Sequence, residues 1–449
     1  MQAAVSQHIA VIGGGWAGLA AAVALVQRGH QVTVWETARH WGGRARALSV
    51  RDTAGQALTV DNGQHILIGA YRDCLALMRT VGVDTETALL RIPLDLRHAD
   101  GSGLQLPNLP PPWDAALGIA RAKGWTWQDK YALLARATRW KRSHFRCNAH
   151  DTVADICQGL PARLLQEFID PLCISALNLP AAQASGVVFL RILHDSLFAG
   201  RGGSDLLIPR TDLGQIFPCA AATWLQAQGA QLHLGQRVHQ LQACGADAQQ
   251  GWRVNGQPFD GVVLATTSAE AARLALTAAP GLHATRSACE HWAGLADALP
   301  HTAIATIYAQ QLAAVPRTLP APMVALRTSA QAPAQFAFDK SLLQGPPGLL
   351  ALVVSASDAQ PGHDRARLQT LVLEQARQQL GLGPLQALRT VVEKRATFAC
   401  TPDVQRPLAH VGPHLWACGD YVQGPYPATL EGAVRSGLEM ARAFEKPLG

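Results

Sequence analysis

The run His8-Ile-Ala-Val-Ile12 reads as a buried strand and passes directly into Gly13-Gly-Gly15-Trp-Ala-Gly18, then into the helix-forming stretch Leu19-Ala-Ala-Ala-Val-Ala-Leu25. Strand, glycine turn and helix in that order predict the opening unit of a parallel sheet that binds a dinucleotide. Gly13 permits the turn, Gly15 lets backbone amides approach a pyrophosphate, and Gly18 lets the helix pack closely on its strand. A second strand, Gln31-Val-Thr-Val-Trp35, ends on Glu36, about 20 residues after the turn, where a carboxylate accepts hydrogen bonds from ribose hydroxyls. The expected contacts are Gly13, Gly15, Trp16, Ala17 and Gly18 at the turn, and Glu36 and Thr37 at the ribose. The acid favours an unphosphorylated ribose, but the motif does not separate NAD from FAD.

A chain of 449 residues, 48% hydrophobic, can bury a large core and excludes disorder as the main state. The apolar stretch Ile9–Val26 is interrupted by glycines and lacks a basic flank, so it reads as neither a signal peptide nor a membrane span. Nine cysteines without a CxxC pair predict neither a disulfide framework nor a zinc site, and a reduced, cytoplasmic setting is expected. No metal site is expected. The net charge of +6 is local: between Trp113 and Arg146 there are eight Lys/Arg against two acids, which matches the balance of the whole chain. That concentration argues against a broad nucleic-acid surface and for one basic patch.

Soon after Glu36 comes Trp41-Gly42-Gly43-Arg44, and near the other end stand His414-Leu-Trp-Ala-Cys-Gly419-Asp420 and Thr429-Leu430-Glu431-Gly432-Ala433. Together these resemble the extended FAD signature of the amine oxidase and phytoene desaturase superfamily. The resemblance implies that Gly43 and Arg44 meet the flavin pyrophosphate, that Gly419 and Asp420 hold the ribityl or pyrophosphate region, and that the helix opening at Leu430, Glu431 and Ala433 faces the isoalloxazine. It also implies that Val238, in Gly235-Gln-Arg-Val238-His-Gln-Leu241, touches the adenine through its backbone. Taken alone, that last run is an ordinary strand. The expected fold is α/β: a Rossmann-type FAD domain around a parallel sheet, drawn from 1–84, 203–270 and 403–449, and a discontinuous α+β substrate domain from 85–202 and 271–402. Strands are expected over Thr302–Ala309, Leu349–Ser355 and Val262–Ala265, and a helix over Asp364–Leu380.

The string Asp61-Asn62-Gly63-Gln64-His65-Ile-Leu-Ile-Gly69-Ala-Tyr71 resembles that of the hydroxysqualene dehydroxylases and, less closely, that of zeta-carotene desaturases. The resemblance implies removal of the hydroxyl of hydroxysqualene, an apolar allylic alcohol, to give squalene. Hydroxide is a poor leaving group, so such chemistry needs an acid and a dry site. His65 is the leading acid candidate and is expected beside the flavin, with Asp61, Tyr421 and Tyr426 behind it. No second glycine-rich motif names a reductant, so the electron donor stays unknown.

The basic stretch also carries Trp113, Trp125, Trp127 and Trp140. Trp127, Tyr131 and Leu134 share a helix face by their spacing, with Arg136 and Arg139 turned away. This pattern suits either a substrate-domain helix with a solvated side or one lying on an anionic bilayer. On the second reading the protein is peripheral on the inner face of the cell membrane and receives its substrate from prenyl-synthase-type enzymes. Two other functions fit the same motifs: an oxidative polyene desaturase or amine oxidase, for which Tyr421 and Tyr426 would supply an aromatic cage, and a prenyl carrier without catalysis.

Overall fold

The computed structural model describes residues 6–198, 200–357 and 364–445; the outermost residues of the expected cofactor domain lie outside these. The chain opens as its glycine pattern dictates, with strand His8–Ile12, helix Trp16–Gln27 and strand Gln31–Glu36. Gly13 takes φ +116°, and a Cβ there would lie 2.4 Å from the Ala265 carbonyl oxygen. A Cβ on Gly18 would lie 2.0 Å from the Gly13 carbonyl oxygen, so the helix can sit on the turn only without one.

His8–Ile12 pairs in parallel with Gln31–Glu36 and with Gly261–Leu264. The sheet continues to Gln231–Leu234 on one side and, on the other, to Leu415–Ala417 and His410–Gly412, the last pairing being antiparallel. Ile9, Ala10 and Val11 are fully buried, as strands covered on both faces require. Helices Trp16–Gln27 and Leu430–Ala441 lie against each other. The fold is α/β around this sheet. Val238 departs from the expected strand: pairing stops at Leu234 and resumes at Leu241, which leaves it in unpaired connecting chain.

A second, antiparallel sheet runs in the order Met323–Ala325, Phe336–Asp339, Leu349–Ser355, His301–Gln311 and Leu385–Phe398. Alternation splits strand His301–Gln311. Ala305 and Ile307 pack under helix Arg365–Leu380, while Tyr308 and Ile304 turn to the opposite core. Asp364 caps that helix by accepting from the Arg367 amide at 2.7 Å, which is why it starts one residue later than the sequence pattern predicts. A third sheet joins Leu67–Ile68, Leu206–Pro209 and Leu89–Ile92, strands from both sides of the expected division at residue 84. Two wide π-helical turns, Leu165–Ile169 and His194–Phe198, interrupt the helical region.

Candidate cofactor and reaction site

Helix Trp16–Gln27 begins at Gly15 with no side-chain cap and no acid in its first turn, so its amides and positive end face outward. A Cβ at Gly15 would meet nothing nearer than the Cα of Gly43 at 3.9 Å, which leaves room for a pyrophosphate at the turn. Glu36 fixes the loop around it by accepting from the Gly14 and Ala38 amides, each at 2.7 Å. Thr37 beside it is exposed. Trp16 and Ala17 are buried, and the Trp16 indole donates to the Ala45 carbonyl at 3.3 Å.

The two ends of the expected flavin signature come together. Arg44 Nη2 lies 2.6 Å from Asp420 Oδ1, and Nη1 donates to the Ala396 carbonyl at 2.7 Å. The Asp420 charge, with its hydrogen bond, raises the guanidinium pKa above its ordinary value. Asn62, next to Asp61, donates to the Arg44 carbonyl at 3.1 Å and to Glu393 Oε2 at 3.2 Å, tying the loop that carries Asp61 and His65 to the same point. The Gly419 amide donates to Ser436 Oγ at 2.8 Å. Tyr421 is 3% exposed, and its hydroxyl has no hydrogen-bond partner among the described residues. An orphaned buried hydroxyl near a fixed guanidinium, together with an uncapped helix start elsewhere on the sheet, fits the polar parts of a flavin dinucleotide.

Other expected contacts are engaged within the protein. The Val238 carbonyl accepts from Arg273 Nη2 at 3.1 Å. At helix Leu430–Ala441, Thr429 Oγ1 accepts from the Gly432 amide at 2.9 Å, while Leu430 and Ala433 pack toward the N-terminal helix. The Glu431 carboxylate turns away and accepts from the amides of Asp73 and Cys74 at 3.0 and 2.9 Å, capping helix Arg72–Thr80. Its side chain therefore braces two helices.

In the reaction loop His65 Nδ1 lies 2.8 Å from the Gly63 carbonyl oxygen. A carbonyl only accepts, so Nδ1 carries the proton and the neutral ring presents Nε2 as an acceptor. Burial, aided by Arg44, lowers His65 below its ordinary pKa, so the ring is neutral near pH 7. Asp61 behaves oppositely. It is 3% exposed, its Oδ1 accepts from the Leu213 amide at 2.8 Å, and burial pushes its carboxyl up to about 6. Burial thus works against a proton on His65 Nε2 and in favour of one on the Asp61 carboxyl.

The two candidate tyrosines sit in different surroundings. Tyr421 belongs to the core, whereas Tyr426 donates to Asp195 Oδ2 at 2.7 Å and lies between the guanidinium groups of Arg191 and Arg435, 5.5 and 5.2 Å from its ring. Tyr426 lines a charged cavity of about 390 Å³. Sequence reasoning missed Asp195, which a π-helical turn delivers, and missed Thr306, Tyr308 and Lys340 around the Asp61 loop. Tyr308 Oη donates to the Asp61 carbonyl at 2.9 Å. None of these stands in a recognisable motif; only Asn62, adjacent to Asp61, could have been read from the string itself.

The basic stretch folds as helices Trp113–Arg121 and Trp127–Arg142, the latter opened by a Thr126/Asp129 capping box. Its four tryptophans divide. Trp125 and Trp140 are buried, whereas Trp113 and Trp127 are 67% and 78% exposed and Tyr131 is 76% exposed. Arg136 is turned inward and donates to the Ile156 carbonyl. No helix of the described residues is long and apolar enough to cross a membrane.

A family model described as flavin containing amine oxidoreductase matches residues 16–444. The chain is similar to the hydroxysqualene dehydroxylase of Rhodopseudomonas palustris, with 27% identity over 462 aligned residues that cover 97% of this chain and 98% of that one. Similarity to the hydroxysqualene dehydroxylase of Zymomonas mobilis is 26% over 243 residues, which spans 53% of this chain and 55% of that one. An oxidoreductase from Methanosarcina mazei has the same fold, with a TM-score of 0.69 and 18% identity over 98% of this chain and 100% of that one. With a family match across nearly its whole length and both halves of the flavin signature joined at Arg44 and Asp420, the chain belongs to the flavin containing amine oxidoreductases and is an FAD-dependent oxidoreductase.

Proposed function

We propose that this protein reductively removes the hydroxyl of hydroxysqualene to give squalene. The observation that carries the reading is the similarity to a hydroxysqualene dehydroxylase over 97% of the chain, reinforced by the Asp61–Tyr71 string. In the net reaction the C–O bond breaks, the oxygen takes a proton and leaves as water, and a C–H bond forms at the same carbon with two electrons and a second proton. Bound FAD, when reduced, supplies the electron pair.

The residues of the chain supply the rest. Asp61, whose carboxyl burial raises to about 6, keeps a protonated fraction available near neutral pH for the departing oxygen. Tyr308 and the Leu213 amide fix it in place. His65, neutral and tethered through Nδ1, offers Nε2 as an acceptor that orients a hydroxyl. Burial of the loop keeps out the water that would recapture an allylic cation. The reading is tested by anaerobic conversion of hydroxysqualene by reduced holoenzyme; desaturation of an isoprenoid by oxidised enzyme would replace it.

The proposal includes an anionic membrane surface as the partner of the Trp113–Arg146 segment. Exposed Trp113, Trp127 and Tyr131 share this segment with exposed Arg139, Lys141 and Arg142, the combination that suits a headgroup boundary. A peripheral position on the inner face would bring the enzyme to its apolar substrate and to the prenyl-synthase-type enzymes that make it.

A further inference from the structure

Lys340 follows strand Phe336–Asp339 and opens the short turn Lys340–Leu343. Its backbone is pinned. The Lys340 carbonyl accepts from the Gly345 amide at 2.7 Å, and the Asp339 carboxylate accepts from the Ser341 and Leu319 amides at 3.0 and 2.9 Å. The side chain is only 9% exposed, and a lysine is seldom so buried without partners. Its Nζ donates to Gln64 Oε1 at 3.4 Å. One long contact to a neutral amide does not offset the desolvation of an ammonium. The countercharge is Asp61, whose field opposes the lowering of Lys340 by burial.

Gln64 carries the contact onward. Its Nε2 donates to the His65 carbonyl at 3.2 Å, and its amide donates to Thr306 Oγ1 at 3.4 Å. We propose that Lys340 is a positioning residue of the reaction site, a buried cation that holds Gln64, sets the Gly63–His65 turn through it, and acts on Asp61 by its charge without a direct contact. The inference rests on the reading of Asp61 as proton holder, but it concerns the electrostatics of the site and can be tested without substrate. Four groups face Asp61: Lys340, Asp212, the Tyr308 hydroxyl and the Leu213 amide. Among them Lys340 alone favours the ionised carboxylate by its charge.

The test uses FAD-loaded enzyme without substrate. The stretch of the protonated Asp61 carboxyl, assigned by its loss in Asp61→Asn, is followed against pH by difference infrared spectroscopy. The wild-type midpoint is expected at about 6. Lys340→Met should raise it by roughly one unit or more, since a nearby cation lowers a carboxyl by that amount. Lys340→Gln keeps a donor for Gln64 while deleting the charge, and should raise it likewise; Lys340→Arg should leave it near the wild-type value. An unmoved midpoint in the Met and Gln variants overturns the proposal, as does an Arg variant that behaves like Met. If the shift is seen but wild-type enzyme leaves hydroxysqualene untouched, only the dehydroxylation reading fails.

Discussion

Arg44 and Asp420 are 376 residues apart in sequence, yet Nη2 of one lies 2.6 Å from Oδ1 of the other. The same guanidinium also holds the Ala396 carbonyl, so three distant stretches of chain converge on it. The flavin site is therefore assembled by tertiary folding and not by any one motif.

Because the two side chains satisfy each other, their losses should not add. Arg44→Ala and Asp420→Ala should each lower melting temperature and FAD retention, and the double variant should lose less than the sum, with a coupling of about 1–3 kcal/mol. Strictly additive losses in a double-mutant cycle would show that the contact does not organise the site.

Glu36 acts on the turn as well as on the cofactor. Glu36→Ala frees the Gly14 and Ala38 amides, each held at 2.7 Å, and bonds to a charged acceptor are worth about 1.5–3 kcal/mol apiece. Apoenzyme should melt lower and holoenzyme should retain less FAD. Full flavin occupancy with an unchanged melting temperature would contradict the role.

The raised carboxyl of Asp61 gives the reaction a pH dependence of definite sign. On the proposed role the active form is the protonated one, so its population falls as pH rises through about 6. The single-turnover rate of reduced enzyme should then drop about tenfold per pH unit above the midpoint. Asp61→Asn should cost about 10²–10⁴-fold and remove this dependence, whereas His65→Ala should retain FAD and cost less. A rate independent of pH from about 5 to 8 would move the proton to another group.

Membrane association should depend on the exposed face alone. Replacing Trp127, Tyr131, Arg139, Lys141 and Arg142 together should weaken binding to anionic vesicles, and binding of the wild type should weaken with salt. Arg136 is spared because it holds the Ile156 carbonyl. Unchanged vesicle affinity in the folded variant would make the segment an ordinary solvated helix.

What the sequence disclosed was local in its physics. The glycine turn, Glu36 at its strand end and the helix start at Thr429 are each set by a few neighbouring residues and stand where their patterns place them, whereas Asp364, expected inside its helix, caps it instead. The division of the tryptophans was not legible: Trp125 packs against Phe168 while Trp127, two residues on, is exposed, and helical spacing alone does not say which face meets the core. Glu431 stood in a cofactor motif, but its carboxylate is consumed by a helix start some 360 residues earlier, at Asp73 and Cys74. Lys340 reaches the Asp61 loop only because strand Phe336–Asp339 lies in the sheet behind it, a placement set by long-range pairing.

The central claim is direct to test. Holoenzyme is reduced chemically without oxygen and given hydroxysqualene, while squalene and the flavin spectrum are followed together. Squalene should form as the flavin reoxidises in equal amount, and oxidised enzyme should form none. Reduced enzyme that leaves hydroxysqualene intact, while oxidised enzyme introduces double bonds into an isoprenoid or converts an amine, would contradict the account.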